Sequence, residues 1–156
     1  MEQIQVSKAE LKDLAQILQV QKDAFFEEDK VTPFHISPMT ETLEDLKKTY
    51  ENTLILKAVD ADGNILGTVR GRNANGTTYI SRLAVSPEAQ RKGIAKALLV
   101  AIEKAYPAKR FELFTRKGNI QAETLYLNHG FEVFKDELIE KDFTFVYMQK
   151  EADSTL

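Results

Sequence analysis

Residues Leu83–Leu99 read LAVSPEAQRKGIAKALL. An apolar run ends at Val85, Ser86-Pro87 marks a turn, and Arg91-Lys92-Gly93 stands where a helix begins. Ile94, Leu98, Ala101 and Ala105 recur at steps of four, three and four, and Ala97 and Ile102 widen the same face. That pattern predicts a helix from about Gly93 to Tyr106, packed on a sheet and ended by Pro107. The first turn of any helix carries unpaired N–H groups and the positive end of the helix dipole. Gly93 and Ala95 leave that backbone open to close approach, and Arg91 and Lys92 add charge, which suits a phosphate or diphosphate. The spacing is neither GxxxxGK[ST] nor GxGxxG, so neither the P-loop nor the dinucleotide fingerprint is present. Taken alone, the stretch equally fits a solvated basic pair ahead of an ordinary core helix.

Upstream, Ile4 and Val6 alternate with polar neighbours as a short strand. Ser7 and Glu10 have the spacing of a capping box for a helix striped with Leu11, Leu14, Ala15 and Leu18. Residues 25–39, FFEEDKVTPFHISPM, hold two prolines and no clean period, which predicts a loop with at most a short helical turn. Thr40–Tyr50 follows as a helix. Strands are predicted over Thr53–Val59, Ile65–Arg72 and Thr77–Val85, separated by the turns ADGN (61–64) and NANG (73–76). Downstream come a strand over Phe111–Thr115, a helix over Asn119–His129 stopped by Gly130, and a closing pair, Phe131–Ile139 and Phe143–Gln149. The order β-α-α-β-β-β-α-β-α-β-β argues for an α/β sheet of mixed direction, not a Rossmann fold or a barrel.

The 156 residues suggest one domain, over 1–150, with a frayed tail at 151–156. A net charge of −3 argues against a nucleic-acid binder. The absence of cysteine excludes disulfides and thiolate chemistry, and two histidines far apart in sequence make no metal site. No leader pattern and no apolar run near 18 residues is present, so the expectation is a cytoplasmic protein without membrane contact.

Gln90-Arg91-Lys92-Gly93-Ile94-Ala95 fits the Q/R-x-x-G-x-G/A motif, and NIQAETLYLNHGFE (Asn119–Glu132) fits N-x-x-A-x-x-L-Y-x-x-x-G-F-x. With Leu83-Ala84-Val85 placed before the first motif, the chain resembles the GNAT superfamily of N-acetyltransferases over nearly its whole length. The resemblance implies a mixed, mostly antiparallel sheet of about seven strands with four helices on its faces, and acetyl-CoA as cofactor. It implies that the strand ending in Val85 splays from the strand over 111–115 and that CoA lies in the gap. The Leu83 N–H would meet the thioester carbonyl. Ala84 and Val85 would flank the pantetheine arm, and the N–H groups from Gln90 and Arg91 through Lys92, Gly93, Ile94, Ala95 and Lys96 would cradle the diphosphate. Asn119 would contact the CoA arm, unless it serves only as a helix cap. Tyr126 would sit near the sulfur as general acid, unless it is only a core aromatic.

The sequence departs from the family at the base. No carboxylate lies between Asp62 and Glu88, and the usual positions hold Tyr79 and Ser81. Glu27, Glu28, Asp29 and His35 are the remaining candidates, with a solvated acidic helix end as the plain alternative. Phe25, Phe26 and Phe34 are candidates for an apolar wall of the acceptor pocket, unless they are simply core. The acidic loop would favour a cationic amine. Arg70, Arg72 and Arg82 lie on adjacent strands, the first two on one face, and would favour a carboxylate such as that of an amino acid; the two expectations conflict. The reaction expected is acetyl transfer to a primary amine of a small molecule or peptide, in an enzyme able to form a homodimer. A non-catalytic CoA-binding domain is the alternative.

Overall fold

A computed structural model describes residues 3–152. The strands are β1 (Gln5–Lys8), β2 (Leu54–Val59), β3 (Ile65–Ala74), β4 (Thr77–Val85), β5 (Arg110–Arg116), β6 (Glu132–Glu140) and β7 (Phe143–Glu151). The helices are α1 (Leu14–Lys30), α2 (Ser37–Thr40), α3 (Leu43–Tyr50), α4 (Ile94–Ala105) and α5 (Ile120–Asn128). One seven-stranded sheet runs in the order β1-β2-β3-β4-β5-β7-β6, antiparallel everywhere except between β4 and β5.

Alternation along β2 sorts the core into two faces. Leu56 and Ala58 join the cluster under α4, with Val69, Leu98, Leu99 and Ile102. Ile55 joins the cluster under α1 and α3, with Leu14, Ile17 and Leu46. Two glycines of β3 set how closely α4 approaches. A Cβ on Gly71 would lie 2.8 Å from Ile102, and one on Gly67 3.0 Å from Leu98. The buried stripe of α4 is Ile94, Leu98, Leu99 and Ile102, rotated from the expected one. The large residues Leu99 and Ile102 take the sheet side, and Ala105 is exposed.

Three expectations are corrected. Ser7 lies within β1 and caps nothing; the first turn is held instead by the Glu10 N–H, which donates to Asp13 Oδ2 at 2.8 Å. Residues 25–30 are not loop but the last turns of α1, and α2 adds one turn at 37–40. Glu151 closes β7 opposite Arg110, and the Ala152 N–H donates to the Lys109 carbonyl, so the chain is paired through the start of the expected tail. Residues 153–156 of that tail lie outside the described residues. No helix among the described residues is long and apolar enough to cross a membrane.

Candidate functional site

Strands β4 and β5 pair only at Thr77–Arg110, Thr78–Phe111 and Tyr79–Glu112. Beyond those pairs they separate, and two cavities fill the opening. The register places a bulge at the same point. Arg70 faces Ser81 and Thr68 faces Ala84, so Arg82 and Leu83 together oppose Val69. Arg82 takes a positive φ of 53°. A bulge bends its strand and re-aims the groups on it, and Leu83 lines both cavities.

The first cavity, about 320 Å³, runs from Leu83, Ala84 and Val85 past Gln90, Arg91, Gly93, Ile94, Ala95 and Lys96. Lys92 is outside its lining. Helix α4 starts on Gly93, and no side chain caps its first turn. Arg91 and Gly93 both have positive φ, 66° and 82°, a backbone form that makes concave nests of N–H groups. A Cβ on Gly93 would meet nothing within 4 Å, so glycine is favoured there by its backbone angle and not by crowding. Gln90 Nε2 donates to the Val85 carbonyl at 3.1 Å and ties the loop to the strand end. An uncapped helix start with Arg91 and Lys96 at its mouth suits an anionic group such as a phosphate.

The second cavity, about 460 Å³, shares Phe25, Glu28, Leu83, Asn119, Ala122 and Tyr126 with the first. Its far wall is aromatic. Phe34 stands edge-on to Phe143 at 5.0 Å, Phe143 edge-on to Phe145 at 5.3 Å, and Phe145 lies 4.6 Å from Phe114.

Three polar side chains meet where the cavities join. Because α1 continues to Lys30, Glu28 projects from a helix. Its Oε1 accepts from Asn119 Nδ2 at 3.0 Å and from Arg116 Nε at 3.4 Å. Asn119 Oδ1 accepts the Ala122 N–H at 3.2 Å, so this residue caps α5 and holds Glu28 as well. Tyr126 is 8% exposed, and its hydroxyl makes no hydrogen bond among the described residues. Burial, and then the nearby Glu28 charge, push this phenol above its ordinary pKa.

The remaining candidates disperse. Phe26 is 50% exposed under the Lys30 ammonium, and Glu27 pairs with Lys30; neither lines a cavity. His35 lines the second cavity, with Nδ1 2.8 Å from Asp29 Oδ2. That contact and the Ile36 N–H hold the Asp29 carboxyl below its usual range. Ser81 lines the second cavity and also a smaller one of about 260 Å³, which takes in Tyr79 beneath the Arg72 guanidinium.

Arg70 is buried in a two-pronged contact with Glu41, braced by Gln21, and so is not free to hold a substrate. Burial would raise the Glu41 pKa, but the hydrogen bonds from Arg70 and Gln21 outweigh it and hold the carboxyl low. Sequence reasoning missed Arg116 and Glu41. Nothing local marks either, since their partners lie 88 and 29 residues away.

Residues 23–152 match the acetyltransferase (GNAT) domain, and the chain belongs to that family. It is 29% identical over 119 residues to UPF0157 protein YqkA of Bacillus subtilis, a match covering 75% of this chain and 34% of that protein. It is also 29% identical over 91 residues to N-alpha-acetyltransferase 20 of Dictyostelium discoideum, covering 53% of each. The chain thus spans about a third and about half of the lengths of these relatives. Among solved structures, the PaiA N-acetyltransferase of Thermoplasma acidophilum in complex with coenzyme A superposes with a TM-score of 0.77 at 20% identity. That match covers 96% of this chain and 99% of the other.

Proposed function

We propose that the protein transfers the acetyl group of acetyl-CoA to a primary amine held in the second cavity, by direct attack with both reactants bound. The observation that carries the reading is the meeting of two cavities at Leu83, Glu28 and Tyr126. Acetyl-CoA supplies the activated acyl group as a thioester. The N–H nest at Arg91–Gly93 and the first turn of α4 hold its diphosphate, with Arg91 and Lys96 as counter-charges. Leu83, on the bulge that lines both cavities, would offer its backbone N–H to the thioester carbonyl oxygen, where charge builds during attack. Such a donor is worth about 3–4 kcal/mol.

Glu28 stands in for the carboxylate that β4 lacks. It accepts the amine proton, directly or through water, and Asn119 and Arg116 fix its orientation. Tyr126, a phenol that is protonated at neutral pH and that burial holds further in that form, presents a hydrogen-bond donor to the departing sulfur. In the balance of the reaction a C–N bond forms, the C–S bond breaks, and the proton shed by the amine ends on the thiol.

A homodimer belongs to the same reading. It is supported by the edge strand β6, which is exposed along its length and carries Val133 and Leu138.

The test is a screen of primary amines with acetyl-CoA, read as thiol release, in the wild type and in Tyr126→Phe. Transfer to at least one amine, slowed at least about 100-fold in the variant, is the expected result. No transfer to any amine, with CoA bound normally, favours the non-catalytic alternative.

A further inference from the structure

The polar groups of the second cavity are not evenly partnered. Of the groups that line it, Glu28 is matched by Arg116, and His35 by Asp29 behind the lining. Arg82 lines the same wall, and its side chain is 21% exposed. Its one ion-pair contact among the described residues is to Glu41, at 4.0 Å. Glu41 already takes both prongs of Arg70 and a hydrogen bond from Gln21. Two guanidinium groups therefore share one carboxylate, and Arg82 is the one left over. Its Nε is buried without a hydrogen-bond partner, an arrangement that proteins rarely leave unmatched.

We infer that the acceptor is a zwitterion: a primary amine that also carries a carboxylate, on an apolar or aromatic frame, with Arg82 as the carboxylate's counter-charge. The inference rests on the acetyl-transfer reading above and names the substrate class for it. The amine end is drawn to Glu28 and the carboxylate to Arg82, while Phe34, Phe114, Phe143 and Phe145 receive the frame. Arg82 directly precedes Leu83, so the anion site and the carbonyl donor sit on one bulge. Burial and the Arg70 charge both press the Arg82 guanidinium toward a lower pKa, and Glu41 opposes them only in part, which favours an incoming anion. The arrangement also reconciles an acidic group and spare basic charge in one pocket, because each addresses a different end of the acceptor.

The experiment compares matched acceptors with acetyl-CoA: phenylalanine, phenylalaninamide and phenethylamine; tryptophan and tryptamine; and spermidine as an all-cationic amine. The amide controls for amine basicity. The expected result is a kcat/KM at least tenfold higher for the amino acids than for their uncharged-end analogues and for spermidine, with the ratio falling below threefold in Arg82→Gln. In wild type, 3-phenylpropanoate should compete with the acceptor and 3-phenylpropanamide should not, which tests the site even if the variant fails to fold. Neutral-ended amines or spermidine serving equally well, or a ratio that survives Arg82→Gln, overturns the inference while leaving acetyl transfer standing. Absence of transfer to every amine, the matched set included, overturns the reading beneath it instead.

Discussion

Gly93 allows the cofactor cradle to be tested apart from the fold. Its φ of 82° is the left-handed region, so any L side chain there costs about 1–2 kcal/mol of stability. For a chain of this length that corresponds to about 2–8 °C in Tm. The space around it is open, so no steric cost is added. Gly93→Ala therefore carries the backbone strain and one methyl group on the cavity lining, and Gly93→Glu carries the same strain plus a longer side chain with one negative charge. With the carboxylate about 6 Å from a phosphate and an effective dielectric of about 20–40, each phosphate charge is opposed by about 1.4–2.8 kcal/mol. Two such charges weaken binding at least about 100-fold.

Calorimetry of CoA with both variants, beside thermal melts, separates the two effects. The melts should coincide within about 2 °C, the CoA affinities should differ at least about 100-fold, and added salt should narrow the gap. CoA affinity equal to wild type in both Gly93→Ala and Gly93→Glu would refute the cradle, and with it the orientation of cofactor and acceptor argued from it.

Other predictions concern the groups around the cavities. Glu28→Gln should lower kcat about 100-fold or more with CoA affinity unchanged, measured by thiol release against calorimetry. Asn119→Ala should cost about 0.5–2 kcal/mol by loss of the α5 cap, and kcat should fall beyond that because Glu28 loses a hydrogen bond; urea melts and turnover report the two parts. Glu41→Gln should destabilise by about 3–5 kcal/mol, since it leaves Arg70 buried without a carboxylate. Glu41 has a depressed folded pKa, so its contribution is present above the ordinary carboxylate value and is lost as pH falls through the lower folded value. The gap between the wild-type and Glu41→Gln melting temperatures should therefore shrink below about pH 4.

Much of the first cavity's lining was legible because it is local in the chain. The glycine, the basic pair and the proline turn before α4 are neighbours in the chain, and Asn119 caps the short helix that carries Tyr126. The second cavity was legible only in part: Glu28, Phe34, His35 and Ser81 were candidates for it, but neither the helix that carries Glu28 nor their partners could be read. The last turns of α1 carry FFEEDK, whose apolar residues face a cavity or solvent more than a packed core, so no helical period marks them. The alternation rule correctly placed Arg70 and Arg72 on one face, yet it said nothing of Glu41, which decides what Arg70 is for. The bulge at 82–83 exists only in register with Val69 on another strand, and no signal within LAV announces it.

That bulge has a consequence for how the protein would respond to selection. Its left-handed position is one where glycine relieves strain of about 1–2 kcal/mol, and an arginine occupies it. A glycine at 82 would also remove a half-buried guanidinium that lacks a full partner, so both effects push toward a more heat-resistant chain. The same change would strip the second cavity, the proposed acceptor site, of its spare positive charge. Screens for thermostability alone should therefore drift toward position 82, and screens that also demand turnover should hold the arginine in place.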